Sequence, residues 1–196
     1  MLFMTLANKV TSIRFLLCIL YYVLLSLAVR KGTRDVELLT IIFICNQVIA
    51  WTDLLDGYLA RKYKEVTHFG RIADPLVDKI LVVGSFIFFL ELDPLPKIFT
   101  AWFAVVVLGR EFLVSGIRGA MEAAGIPFPA SVWGKIKTAI QNVTVGTGLG
   151  YVTWFPTTRW TELLTIALMW ATLVATVMSG ITYVLSARKF LGSERI

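Results

Sequence analysis

Charge is scarce in this chain. Asp, Glu, Lys and Arg together make up 16% of its 196 residues, against 57% hydrophobic residues. A soluble domain of this length carries more charge, so the composition and a mean hydropathy of +0.76 point to residence in a membrane. Histidine occurs once, at His68, without a partner at metal-ligand spacing. It reads as a solvated residue of a short polar turn. Cysteine occurs twice, and Cys18 and Cys45 each lie in an apolar run, which favours packing over a disulfide or a metal site. Linkers, repeats and low-complexity tracts are missing. No cleavable N-terminal signal is expected, because the first apolar run reaches Arg30-Lys31 without a small-residue cleavage site. One helical membrane domain over residues 1–196 is expected.

Apolar runs are what the chain has in plenty. A bilayer-crossing helix needs roughly 20 mostly apolar residues. Six stretches qualify: Val10–Val29, Val36–Tyr58, Ile72–Leu92, Ile98–Glu122, Ser131–Trp154 and Trp160–Arg188. The fold class is therefore all-α, with six membrane helices. A net charge of +6 would suit nucleic acid in a soluble protein, but six spans leave no room for such a module. The charge instead serves topology and anionic ligands. With the N-terminus inside, the cytoplasmic face carries Lys9, Arg61, Lys62, Lys64, Arg71, Arg118, Lys135, Lys137, Arg188, Lys189 and Arg195. The other face carries Arg30, Lys31, Arg34, Lys97 and Arg159. That bias places both termini in the cytoplasm and implies a multi-pass protein of the inner (cytoplasmic) membrane with its active site facing the cytoplasm. Trp102, Trp133, Trp154, Trp160 and Trp170 fall mostly near predicted helix ends and read as interfacial anchors.

Ionisable groups at membrane depth are costly and mark function. Here they concentrate between residues 53 and 78. Asp53 and Asp56, three apart, share a helix face, and Asp74 and Asp78, four apart, share another. Pro75 is tolerated in the first turn of its helix. The short connection between the second and third stretches predicts antiparallel neighbours whose four aspartates converge. Four close carboxylates cannot all stay ionised without cations between them. Hard oxygen ligands without Cys or His suit Mg²⁺ or Mn²⁺. Two such ions bridged by carboxylates form a clamp for phosphoryl transfer. Gly57 and Ala60 clear one face for a nucleotide diphosphate, and Arg61 would reach the phosphates from that face. Capping and ion pairing with Arg61, Lys62, Arg71 and Lys79 would account for any single aspartate but poorly for all of them at these spacings.

The run D-x2-D-G-x2-A-R-x8-G-x3-D-x3-D, filled from Asp53 to Asp78, resembles the signature of the CDP-alcohol phosphotransferases. The resemblance implies a six-helix fold, usually homodimeric. It also implies two divalent cations per active site, held around the diphosphate of a CDP-linked donor. By position, Asp53, Asp56 and Asp74 correspond to metal ligands, and Asp78 to a ligand that is also the general base. Gly57, Ala60, Arg61 and Gly70 correspond to the donor CDP site. Three further blocks resemble the branch of this family that transfers a phosphatidyl group from CDP-diacylglycerol to glycerol 3-phosphate. They are Asn8-x2-Thr11-x2-Arg14, the R-E-x-x-x-S-x-x-R run from Arg110 to Arg118, and the G-K-x-K-T-x-x-Q run from Gly134 to Gln141. Asn8 and Thr11 join the donor site by this likeness. Gly119 and Asn142 depart from the Glu and Met common there.

The charges in these blocks fit an anionic acceptor. Arg110 and Arg118 lie near one face of the fourth helix, and Lys135 and Lys137 stand at the entrance of the fifth. Four cations there would hold the acceptor phosphate. Lys135 and Lys137 alone could merely obey the positive-inside rule, but an Arg-Glu pair deeper in a span is not decoration. A neutral or zwitterionic acceptor would not need this cluster, whereas inositol phosphate would be served as well as glycerol 3-phosphate. An ion-pathway role for the carboxylates would call for inverted repeats or broken mid-span helices, and neither is present.

Overall fold

The computed structural model describes the backbone of residues 6–32, 35–63, 68–126 and 132–193, and the side chains of residues 12–32, 35–52, 76–126 and 132–188. Within these residues the chain forms six α-helices and no strand: α1 Leu6–Lys31, α2 Val36–Tyr63, α3 His68–Phe88, α4 Ala101–Ala123, α5 Val132–Trp154 and α6 Arg159–Ser193. Two of the described segments, Ser12–Lys31 and Arg159–Arg188, are long and apolar enough to cross a membrane, and the apolar part of α2 is the shorter run Val36–Thr52.

Local chemistry sets the ends. Gly32, at φ 74°, closes α1 in the left-handed region that glycine enters without strain. Asp35 Oδ1 accepts the Leu38 N–H at 3.1 Å and so caps the exposed donors at the start of α2. At the end of α4, Gly125 has φ 73°. There the Ile126 N–H reaches the Met121 carbonyl at 2.9 Å and the Gly125 N–H reaches that of Glu122 at 3.0 Å, the double closure of a Schellman turn.

Several expected boundaries move, among them α1 starting at Leu6 rather than Val10 and α6 ending at Ser193 rather than Arg188. α2 continues to Tyr63, so Ala60 and Arg61 sit in helical backbone; α3 begins at His68, which is therefore helical rather than in a turn. α3 also stops at Phe88 instead of Leu92, because residues 87–91 tighten into turns and Leu95–Lys97 forms a short 3-10 helix. Pro94 cannot donate into a continuing helix, and Phe89, Leu92 and Leu95 turn inward to zero exposure. There Phe86, Phe89, Phe99 and Phe103 pack with ring centroids 5.0–6.1 Å apart, a geometry worth more than its buried area alone.

Side-chain pairings fix the directions of the helices. Arg14 meets Asp78, and Tyr21 meets Ser85 at 2.8 Å, so α1 and α3 run parallel. Lys79 meets Ser115 while Phe86 meets Phe103, so α3 and α4 run antiparallel. Thr144 meets Thr172 at 2.7 Å and Gln141 meets Thr176 at 3.5 Å, so α5 and α6 do too. Thr161, Thr165, Thr172, Thr176 and Ser179 form a buried polar file along α6; small polar residues of this kind let apolar helices approach and bond.

The expected meeting of α2 and α3 around the four aspartates falls largely on residues 53–75, whose side chains lie outside the described residues. Among the described residues each packs on α1 and on α5 rather than on the other. Both helices line a cavity, described below. The thiols behave as read: Cys18 is buried, Cys45 half-buried, and both are free. All five tryptophans named above are 43–63% exposed, consistent with outward anchors, although Trp170 lies within α6 and packs on Trp102.

A close helix contact yields a prediction. A Cβ at Gly148 would lie 2.8 Å from Phe89 Cε2, whereas one at Gly109 would meet nothing within 4 Å. Phe89 is locked in the aromatic cluster, so Gly148→Ala should destabilise the protein by about 1–3 kcal/mol. Gly109→Ala should leave stability unchanged or slightly raised. Thermal unfolding of the two variants in detergent checks the contrast.

Candidate active site

A cavity of about 1640 Å³ opens among α2, α3, α4 and α5. α2 supplies Asn46, Gln47, Ala50 and Trp51; α3 supplies Asp78, Lys79, Val82 and Val83. α4 and α5 face them with charge. Arg110, Glu111 and Arg118 come from α4, and Lys135 and Lys137 from α5. Residues from separate sequence blocks thus meet on one wall. Gly119 and Asn142 line the same space.

The four cations are not equivalent. Lys137 is 5% exposed and donates to Glu111 Oε1 at 2.5 Å. Arg110 donates to the same oxygen at 3.1 Å and to Ser179 Oγ, with its guanidinium 5.5 Å from the Tyr183 ring centre. Burying charge in an apolar bundle is tolerated only with such pairing. Arg118 and Lys135, by contrast, are exposed and make no ion pair among the described residues. They are open to an incoming anion.

Asp78 is half-exposed, and Arg14 Nη2 stands 3.7 Å from its Oδ1. Arg14 itself is 1% exposed, so the pair orients the Asp78 carboxylate from within the bundle. Next to it, Lys79 donates to the Ser115 hydroxyl, which donates in turn to the Glu111 carbonyl at 2.6 Å.

The remaining residues singled out from sequence are placed by backbone alone. Asn8 and Thr11 belong to α1, Asp53, Asp56, Gly57, Ala60 and Arg61 to α2, and Gly70 and Asp74 to α3. Their side chains lie outside the described residues. Among the described residues no group of three or more potential metal-binding side chains occurs.

Arg14, Lys79, Glu111 and Ser115 belong to this polar network yet were not singled out as site residues. The signal for Glu111 was its position beside Arg110 in a span. Arg14 and Ser115 are fixed positions of the Asn8–Arg14 and Arg110–Arg118 blocks; for Lys79 the pairing is tertiary and has no spacing to read. On the far side of Arg110, an apolar groove of about 360 Å³ runs between α4 and α6, lined by Val106, Leu113, Val177 and Ile181.

The chain is a helical bundle with apolar outward faces, built around a cavity lined by paired and exposed cations. The chain belongs to the CDP-alcohol phosphatidyltransferase family, whose pattern it matches over residues 4–178. It is 34% identical to a CDP-diacylglycerol–glycerol-3-phosphate 3-phosphatidyltransferase of Bacillus subtilis, covering 71% of this chain and 74% of that one. It is 29% identical to the protein of the same name from Rickettsia felis, covering 87% and 86%. A probable phosphatidylglycerophosphate synthase of Mycobacterium tuberculosis is 34% identical, covering 76% and 70%.

The exposure of Arg118 and Lys135 makes a testable statement. Replacing either by Ala should weaken binding of inorganic phosphate by about 5- to 30-fold, the loss of one charge-assisted contact discounted for solvent. Lys97→Ala, remote from the cavity, should change nothing. Phosphate-dependent thermal stabilisation of the purified proteins gives the measurement.

Proposed function

We propose that this protein transfers the phosphatidyl group of CDP-diacylglycerol to sn-glycerol 3-phosphate, yielding phosphatidylglycerophosphate and CMP. The observation that carries this reading is the cation wall of the cavity, Arg110, Arg118, Lys135 and Lys137 opposite Asp78. It is supported by the names of relatives that align over most of the chain. An acceptor with a phosphate dianion gives those charges a purpose that a neutral alcohol does not.

In this reading a glycerol hydroxyl attacks the β-phosphorus of the donor, and the bond from that phosphorus to the bridging oxygen breaks. CMP leaves with the bond electrons. Asp78, turned toward the cavity and braced by Arg14, takes the hydroxyl proton as general base. Arg118 and Lys135 bind the acceptor phosphate, with Arg110 and Lys137 behind them. Asn8, Thr11, Gly57, Ala60, Arg61 and Gly70 form the donor nucleotide site. Asp53, Asp56, Asp74 and Asp78 are an all-oxygen donor set that fits two Mg²⁺ or Mn²⁺ ions, which when bound neutralise the diphosphate and the departing CMP. The apolar faces of all six helices then meet lipid, and the charge bias turns the site toward the cytoplasm of an inner-membrane protein. A homodimer, expected from the family resemblance, completes the reading.

The test is an acceptor panel. Purified protein, CDP-diacylglycerol and Mg²⁺ should release CMP with glycerol 3-phosphate and stop on excess EDTA. Release with inositol phosphate instead would transfer the reading to that acceptor, and metal-independent release would overturn the two-ion site.

Asp78 has its own test. Asp78→Asn should lower kcat by about 10²–10⁴-fold while retaining metal-dependent donor binding, whereas Asp74→Asn should lose both. Single-turnover rates and donor binding, measured side by side, separate a base from a ligand. Loss of donor binding in Asp78→Asn would assign Asp78 to the metal alone.

A further inference from the structure

Glu111 stands at the meeting point of three helices. Its carboxylate oxygen takes Lys137 of α5 at 2.5 Å and Arg110 of α4 at 3.1 Å. Its carbonyl takes the Ser115 hydroxyl, which itself receives Lys79 of α3. Glu111 is 5% exposed. A carboxylate at this depth that served only to join helices could as well sit among apolar side chains. This one lies on the cavity wall with both of its cations.

Two physical effects oppose each other here. By charge alone, a carboxylate beside an anion site repels the anion, so its removal should tighten binding. Against that, Lys137 is buried on a long flexible stem. Without a counter-charge, a buried ammonium is neutralised or withdraws to water. Removing Glu111 would then remove a cation too. Arg110 differs, because Ser179 and Tyr183 also hold it.

We propose that Glu111 is a positioning residue for anion binding. Its carboxylate keeps the Lys137 ammonium charged and fixed on the cavity wall, so that a phosphate group meets a preset cation. The inference rests on the reading of this cavity as a phosphate site and deepens it: alignment of Lys137 outweighs repulsion by Glu111.

The experiment is a double-mutant cycle on the full-length protein, using Glu111→Gln, Lys137→Met and the pair together. Inorganic phosphate affinity, from phosphate-dependent thermal stabilisation, is one readout. The KM values for acceptor and donor are the others. Each single variant should lose about tenfold or more in phosphate affinity, with acceptor KM raised in parallel and donor KM unchanged. The double variant should be no more than about twofold weaker than Lys137→Met alone, because Glu111 acts through Lys137. Glu111→Asp should recover part of the loss. If Glu111→Gln does not fold, Glu111→Asp takes its place in the cycle. Tighter phosphate binding by Glu111→Gln would overturn the proposal, as would losses that multiply. A lower melting temperature with unchanged phosphate affinity would reduce Glu111 to a structural tie. Wild-type protein that binds phosphate but does not use glycerol 3-phosphate would sink the acceptor reading and leave the cycle to decide Glu111; wild-type protein that does not bind phosphate would overturn both.

Discussion

Holding several full charges inside a bundle of apolar helices is the constraint from which the rest of this architecture follows. Transfer of one isolated ion into such surroundings is prohibitive, and only pairing or hydration makes it tolerable. The protein uses both. Arg110 and Lys137 share the Glu111 carboxylate and are nearly sealed from solvent. Arg118 and Lys135 stay wet at the rim. Arg14 is buried against the half-exposed Asp78. Each paired charge also joins two elements, so the ionic network and the helix packing around the cavity are one structure.

Elsewhere the same constraint acts on weaker dipoles. Buried hydroxyls on α5 and α6 bond to each other or to carbonyls one turn back, as Thr144 does with Thr172 and Ile140. In a low-dielectric interior a satisfied hydroxyl is harmless and an unsatisfied one expensive. Away from the cavity, four phenylalanines close the corner between α3 and α4.

Helix number and approximate extent were legible because apolar runs of about 20 residues have few alternative uses. The end of α3 was not, since residues 89–92 are as apolar as the helix before them and only the inward packing of Phe89 and Leu92 shows the turn. The four cations were legible as a group from their blocks, and the structure sets them around one cavity. Their division into paired and open members was not, because it depends on Glu111 reaching across to a helix 26 residues away. Residues of both α2 and α3 line that cavity, which the short connection between the helices does not announce.

Arg110 separates two very different spaces. One side of its side chain borders the ionic cavity, and the other floors the apolar groove between α4 and α6. Its Cγ lies 3.4 Å from where a Cβ on Gly180 would project. The partition between lipid-like and water-like surroundings is here one side chain thick. Bulk added on the oily face, even a methyl group, would press on a guanidinium that the polar face depends on, so the two environments communicate mechanically without sharing a ligand.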